Sequence, residues 1–161
     1  MPDLGSIIDG HTVRFERLFP LAAEDLWAYL TSRDGLSRWL ADGHIGPDRA
    51  ELRFADNGSA IEGEVTTWEP PRLVEFDWTG GPTQADGSRV RFKVVAEGAS
   101  ASRLILTHSD VTAPAGPDFA AGWHRHVDTL SAFANGTPHS PEGPSWQELY
   151  EIYCRVNTVG G

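Results

Sequence analysis

Hydrophobic and polar positions change rhythm several times along the chain, and each rhythm predicts an element. Over residues 12–19 they alternate, with Val13 and Phe15 on one face and Arg14 and Glu16 on the other. A period of two with β-branched and aromatic residues predicts a half-buried strand, which Pro20 stops. Over residues 22–31 the spacing turns helical, bringing Leu26, Trp27 and Leu30 to one side. A second helical turn over residues 34–40, with a weak break at Gly35, carries Trp39 inward.

Alternation then returns five times. Ala50, Leu52 and Phe54 share a face, as do Ile61, Gly63 and Val65. Val74, Phe76 and Trp78 follow, then Val90, Phe92 and Val94, and finally Leu104, Leu106 and His108. The opposite faces carry Arg49, Glu51, Arg53, Glu62, Glu64, Glu75, Asp77, Arg89, Arg91 and Lys93. With the first strand this predicts a sheet of about six strands, an antiparallel meander that is dry on one side. Residues 80–88 (GGPTQADGS) read as a flexible hairpin loop.

Residues 117–135 predict a long helix capped by Gly136. Its Phe119, Trp123, His126, Val127, Leu130 and Phe133 fall within a stripe of about 120°. Residues 136–145 (GTPHSPEGPS) read as a linker. Beyond it, Ser145 and Glu148 have the spacing of a capping box ahead of Trp146, Leu149, Tyr150 and Tyr153. The apolar edge of this short helix either docks on the domain or serves a dimer contact. The expected organisation is a tail over residues 1–11, one domain over 12–136, and a linker plus helix over 137–161. These elements predict an α+β fold of two layers, the long helix lying across the concave dry face and the two short helices closing one end.

Composition narrows the function without naming it. The 161 residues carry 23 acidic and 13 basic side chains, a net charge of −10, which disfavours nucleic acid and anionic membranes as partners. Sixteen aromatic residues supply one sizeable core. The single cysteine, Cys154, allows neither an internal disulfide nor a cysteine zinc cage. With no basic-then-apolar start and no membrane-length apolar run, a cytoplasmic setting is expected. No phosphate loop, nucleophile elbow or His-Glu-x-x-His is present.

Four polar positions invite chemistry. His126 lies near the middle of the apolar helical stripe, whereas His124, about 200° away, is expected in solvent, so the pair cannot chelate one metal. His108 ends an inward strand face and can approach His126 from the sheet. The two are either hydrogen-bonded core histidines, polar orienters of a ligand, or a metal-binding or general acid/base pair. Arg17, on the Val13–Phe15 face, either snorkels outward at the strand end or pairs with an inward carboxylate or an anionic ligand group. Trp39, Trp78 and Trp123 point to the same interior, as core, as cavity wall, or as both.

Four segments carry a family resemblance: TVRFERLFPLAAEDLWAYLTSRDGLSRWL (12–40), GEVTTWEPPRLVEFDW (63–78), SRLILTHS (102–109) and GWHRHVDTL (122–130). In order and spacing the chain resembles the AHSA1-like family, related to the activator of Hsp90 ATPase, of the START/Bet v 1-like superfamily. The resemblance implies a helix-grip fold with an elongated apolar cavity between sheet and long helix. It implies binding of a small hydrophobic or amphipathic ligand of lipid, polyketide or aromatic type; no cofactor or metal is expected. On this reading Trp39, Phe54, Trp78, Phe92, Leu106, Phe119 and Trp123 are the candidate walls, and His108 and His126 the polar handles. A polyketide-cyclase-like enzyme using those histidines, and a module contacting an Hsp90-type chaperone through its charged outer strands, are the alternatives. A homodimer is a further possible assembly.

Overall fold

The computed structural model describes residues 5–8, 11–54, 60–80, 88–111, 116–136 and 145–160. Eight strands form one antiparallel sheet in the order β1-β2-β8-β7-β6-β5-β4-β3. They are β1 (Ser6–Ile8), β2 (Thr12–Phe19), β3 (Asp42–Ile45), β4 (Arg49–Arg53), β5 (Ala60–Glu69), β6 (Leu73–Gly80), β7 (Ser88–Ala96) and β8 (Ser102–Ser109). The helices are α1 (Ala23–Thr31), α2 (Arg33–Trp39), α3 (Gly116–Ala134) and α4 (Trp146–Gly160). This is the α+β helix-grip architecture.

Eight strands stand where the alternation predicts about six. The two additional ones, β1 and β3, are three and four residues long and lie at the two edges of the sheet. So short a run offers too few alternations to read, and its pairing is dictated by the neighbour's backbone. β1 pairs with β2 through Ile7 opposite Val13, so residues 6–8, expected as tail, belong to the sheet.

The expected inward faces are inward. Ala50, Leu52, Ile61, Val74, Phe76, Trp78, Val90, Phe92, Val94, Leu104, Leu106 and His108 are all buried, at 5 % exposure or less. Gly63 is required where β5 crosses β6: a Cβ there would lie 1.8 Å from the carbonyl oxygen of Asp77, closer than any side chain permits. The opposite face is ion-paired across the strands. Arg49 meets Glu62 at 3.3 Å, Arg89 meets Asp77 at 3.2 Å, and Arg91 meets Glu75 at 3.0 Å.

α1 and α2 meet at Ser32, whose Oγ accepts from the N–H of Gly35 and caps the second helix. α3 ends beside Gly136, at φ +77°, a conformation that glycine adopts freely. The capping box of α4 is formed: the Glu148 N–H donates to Ser145 Oγ at 3.1 Å and the Ser145 N–H to Glu148 Oε1 at 3.4 Å. Leu149 and Tyr153 of α4 are fully buried, and the helix packs along α3. Among the described residues no helix is long and apolar enough to cross a membrane. The expected loop over 81–87 and most of the expected linker, 137–144, lie outside the described residues.

Candidate functional site

Strand register determines which side chains meet beneath α3. His108 lies opposite Val90 on β7 and Val13 on β2, and Leu106 lies opposite Phe92. Trp78 lies opposite Ser88. Ser88 and His108 are therefore diagonal neighbours on one face, within reach of each other. From above, α3 contributes Phe119, Trp123 and His126, and the end of α2 contributes Trp39.

The rings form one connected cluster. Trp78 has its ring centroid 5.2 Å from His108, 5.6 Å from Trp123, 5.8 Å from Phe54 and 6.5 Å from Phe119. Phe92 touches Trp39 and Trp123 at 6.1 and 6.2 Å. Trp123 also touches His108 and His126, at 6.1 and 6.2 Å. Leu106 fills the row beside Phe92 and is fully buried. All nine residues singled out in the sequence thus lie in one region. Trp39, Trp78, Phe92, Leu106, His108 and Trp123 are buried, whereas Phe54, Phe119 and His126 are half-buried and form its rim. Two further members are Phe76, 5.8 Å from Phe92, and the fully buried Ser88. Phe76 shares the Trp78 face in the alternation of the sequence. Ser88 read as the end of a glycine-rich loop, and only its register with Trp78 reveals it.

A directed hydrogen-bond relay runs through His108. An indole N–H only donates, so Trp123 Nε1, 3.0 Å away, makes Nδ1 of His108 an acceptor. The ring proton then sits on Nε2 and is donated to Ser88 Oγ at 2.9 Å. Ser88 in turn donates to the carbonyl of Trp78 over a long 3.5 Å. Burial lowers the His108 pKa from 6.5 to about 3, so the imidazole is neutral at pH 7. With both nitrogens engaged, His108 is a core histidine that organises its neighbours and holds no free lone pair for proton transfer.

His108 and His126 take different partners. His126 Nδ1 donates to the carbonyl of Trp39 at 3.0 Å, and the ring lies at the half-buried rim instead of mid-stripe. Trp39 Nε1 donates to the carbonyl of Tyr29 at 2.7 Å. Trp78 Nε1 is different: it is buried and has no hydrogen-bond partner among the described residues. An unpaired buried donor costs about 1–3 kcal/mol.

A second polar cluster occupies another flank of α3. His124, expected in solvent, is fully buried. A helical wheel drawn on α3 alone omits Phe15 of β2 and Tyr153 of α4, whose rings cover this flank. Gly5 N–H donates to Tyr153 Oη at 2.8 Å, and that hydroxyl lies 2.8 Å from His124 Nδ1. His124 Nε2 stands 3.3 Å from Asp128 Oδ2, near enough for electrostatic contact although its N–H is not aligned for a hydrogen bond. Arg17 donates to Asp128 Oδ1 at 2.6 Å, so of the alternatives for Arg17 the inward carboxylate is realised. Burial alone would raise the Asp128 pKa, but contacts from His124 and Arg17 outweigh it and hold the carboxyl below its usual range. Burial pushes Tyr153 up to about 12, against the opposing pull of the Gly5 N–H and Arg17.

Two surface grooves built from described residues lie away from the aromatic cluster. One runs between α1 and α2 past Asp25, Tyr29 and Arg38, and the other crosses the β3–β5 edge past Arg33, Glu51 and Arg53.

Comparison with known proteins agrees with this architecture. The model of the activator of Hsp90 ATPase homolog 1-like family matches residues 20–135, and the chain belongs to that family. No curated protein matches the chain. A Bordetella parapertussis protein solved by NMR is 31% identical, with a TM-score of 0.71 over 96% of this chain and 90% of its own. CalU16 from Micromonospora echinospora is 19% identical, with a TM-score of 0.73 over 96% of this chain and 94% of its own. The Aha1 dimer from Colwellia psychrerythraea is 18% identical, with a TM-score of 0.66 over 80% of this chain and 98% of its own.

Proposed function

We propose that this member of the activator of Hsp90 ATPase homolog 1-like family binds a small hydrophobic or amphipathic molecule between the sheet and α3. The walls are Trp39, Phe54, Trp78, Phe92, Leu106, Phe119 and Trp123, and His108 and His126 are the polar groups among them. One observation carries the reading: the aromatic cluster is continuous from the buried Trp78, Phe92 and Trp123 to the half-buried rim of Phe54, Phe119 and His126. A ligand entering at the rim meets rings throughout, in a setting of few polar groups typical of small-molecule sites. On the outer strands Arg49, Arg89 and Arg91 are already paired with Glu62, Asp77 and Glu75.

The acid/base alternative asks His108 for a lone pair that the relay has already used. Binding, not turnover, is the function these groups favour.

Native mass spectrometry of the protein purified from its own host tests the proposal. The expected result is a retained mass of a few hundred daltons, consistent with a drug-sized ligand, that is released on denaturation. Only the bare protein mass, together with no thermal stabilisation by any member of an apolar compound panel, would overturn it.

A further inference from the structure

The three tryptophans of the cluster differ in what their indole N–H groups do. Trp39 gives its proton to the Tyr29 carbonyl and Trp123 gives its own to His108. Of the three, Trp78 alone has a buried N–H with no partner among the described residues. Its ring touches both half-buried phenylalanines of the rim, Phe54 at 5.8 Å and Phe119 at 6.5 Å. Its backbone carbonyl accepts from Ser88, at the end of the relay that begins at Trp123.

We infer that Trp78 Nε1–H is the anchor of the ligand, and that the ligand is an apolar, ring-bearing molecule presenting one uncharged oxygen acceptor, such as a ketone or ether. This inference rests on the ligand-binding reading above and specifies its chemistry. An indole N–H is a donor only, so it selects an acceptor and has nothing to offer a ligand amine or ammonium. The nine cluster residues include neither a lysine nor an arginine, so a carboxylate would enter without a countercharge. A neutral carbonyl oxygen satisfies the orphan donor at the lowest desolvation cost. The Trp123–His108–Ser88 relay plays a positioning part, holding the Trp78 backbone and leaving no competing donor on His108.

A matched pair of probes tests this: 9-fluorenone, which carries a ketone, and fluorene, which has the same rings and no oxygen. The titration is followed through the indole N–H signals of the isotopically labelled wild-type protein, assigned by triple-resonance spectra. The expected result is that fluorenone binds about tenfold more tightly than fluorene, roughly the worth of one buried hydrogen bond. Fluorenone also moves the Trp78 indole proton downfield, and fluorene does not. Trp78→Phe, which keeps a ring and removes the donor, brings the two affinities together while the fold persists by circular dichroism. Equal affinity of both probes for the wild-type protein, with the Trp78 signal unmoved, would overturn the anchor and leave the binding reading intact. Binding of neither probe up to its solubility limit would overturn both.

Discussion

His108 and His124 are both fully buried beside α3, yet their surroundings differ in kind. His108 sits among Trp78, Phe119 and Trp123, is neutral, and passes its hydrogen bonds from one uncharged group to the next. His124 sits between a tyrosine hydroxyl and a carboxylate that is itself paired with Arg17. The first arrangement ends in an aromatic surface that reaches the rim with one donor unused. The second ties the residue just before β1 to β2, α3 and α4 through Gly5, Arg17, Asp128 and Tyr153. The same residue type therefore organises an aromatic cluster in one place and clamps neighbouring elements together in the other. The difference lies in whether charge is present to hold the neighbouring elements.

The largest expected effect comes from removing the hinge of the first arrangement. Trp123→Ala empties the space against Trp78 and Phe92 and strips His108 of its donor, so unfolding should require about 3–5 kcal/mol less. Urea midpoints check this, and a loss under about 1 kcal/mol would show that the cluster is not close-packed around Trp123.

Next in size is the response to acid. The His108 pKa in the folded chain, about 3, lies below its ordinary 6.5, so the unfolded chain takes up the proton first. Stability should fall as pH drops below about 6.5, by about 2 kcal/mol at pH 5. Asp128 acts in a lower window, because its pKa is held below 3.8 and its contribution is lost only as pH falls through that lowered value. Denaturant titrations from pH 7 to 4 on the wild type and His108→Gln should differ in slope. Identical slopes would contradict a buried, neutral His108.

Tyr153→Phe probes the clamp. It leaves the Gly5 N–H and His124 Nδ1 without their shared partner, at a cost of about 1.5 kcal/mol. Hydrogen exchange in α4 should quicken while exchange in β7 and β8 stays unchanged. Uniform quickening would show that the two regions are not separable. The smallest effect belongs to the outer face: Arg49→Ala should cost under about 0.5 kcal/mol, since its pair with Glu62 is solvent-exposed.

Much of this architecture is legible in the chain because period two and period 3.6 each report one buried face. Trp78, Phe92 and Leu106 can be assigned inward from alternation alone, and Trp123 from the helical stripe. Positions governed by a second neighbour are not legible in this way. His124 lies off the apolar stripe of α3, and Phe15 of β2 together with Tyr153 of α4 buries it. The edge strands β1 and β3 owe their existence to β2 and β4. Ser88 becomes a relay member only through its register with Trp78. The unpaired Trp78 N–H is the extreme case: spacing shows that an indole points inward, whereas an unused donor emerges only when every other partner has been assigned.

Titration of the labelled protein with 9-fluorenone, read simultaneously at the imidazole and indole resonances, locates a bound ligand relative to the two histidine clusters. Changes are expected at Trp78, Trp123 and His126, with the His124 signals unmoved. Changes centred on His124 and its neighbours in α4, or no changes at all, would contradict it.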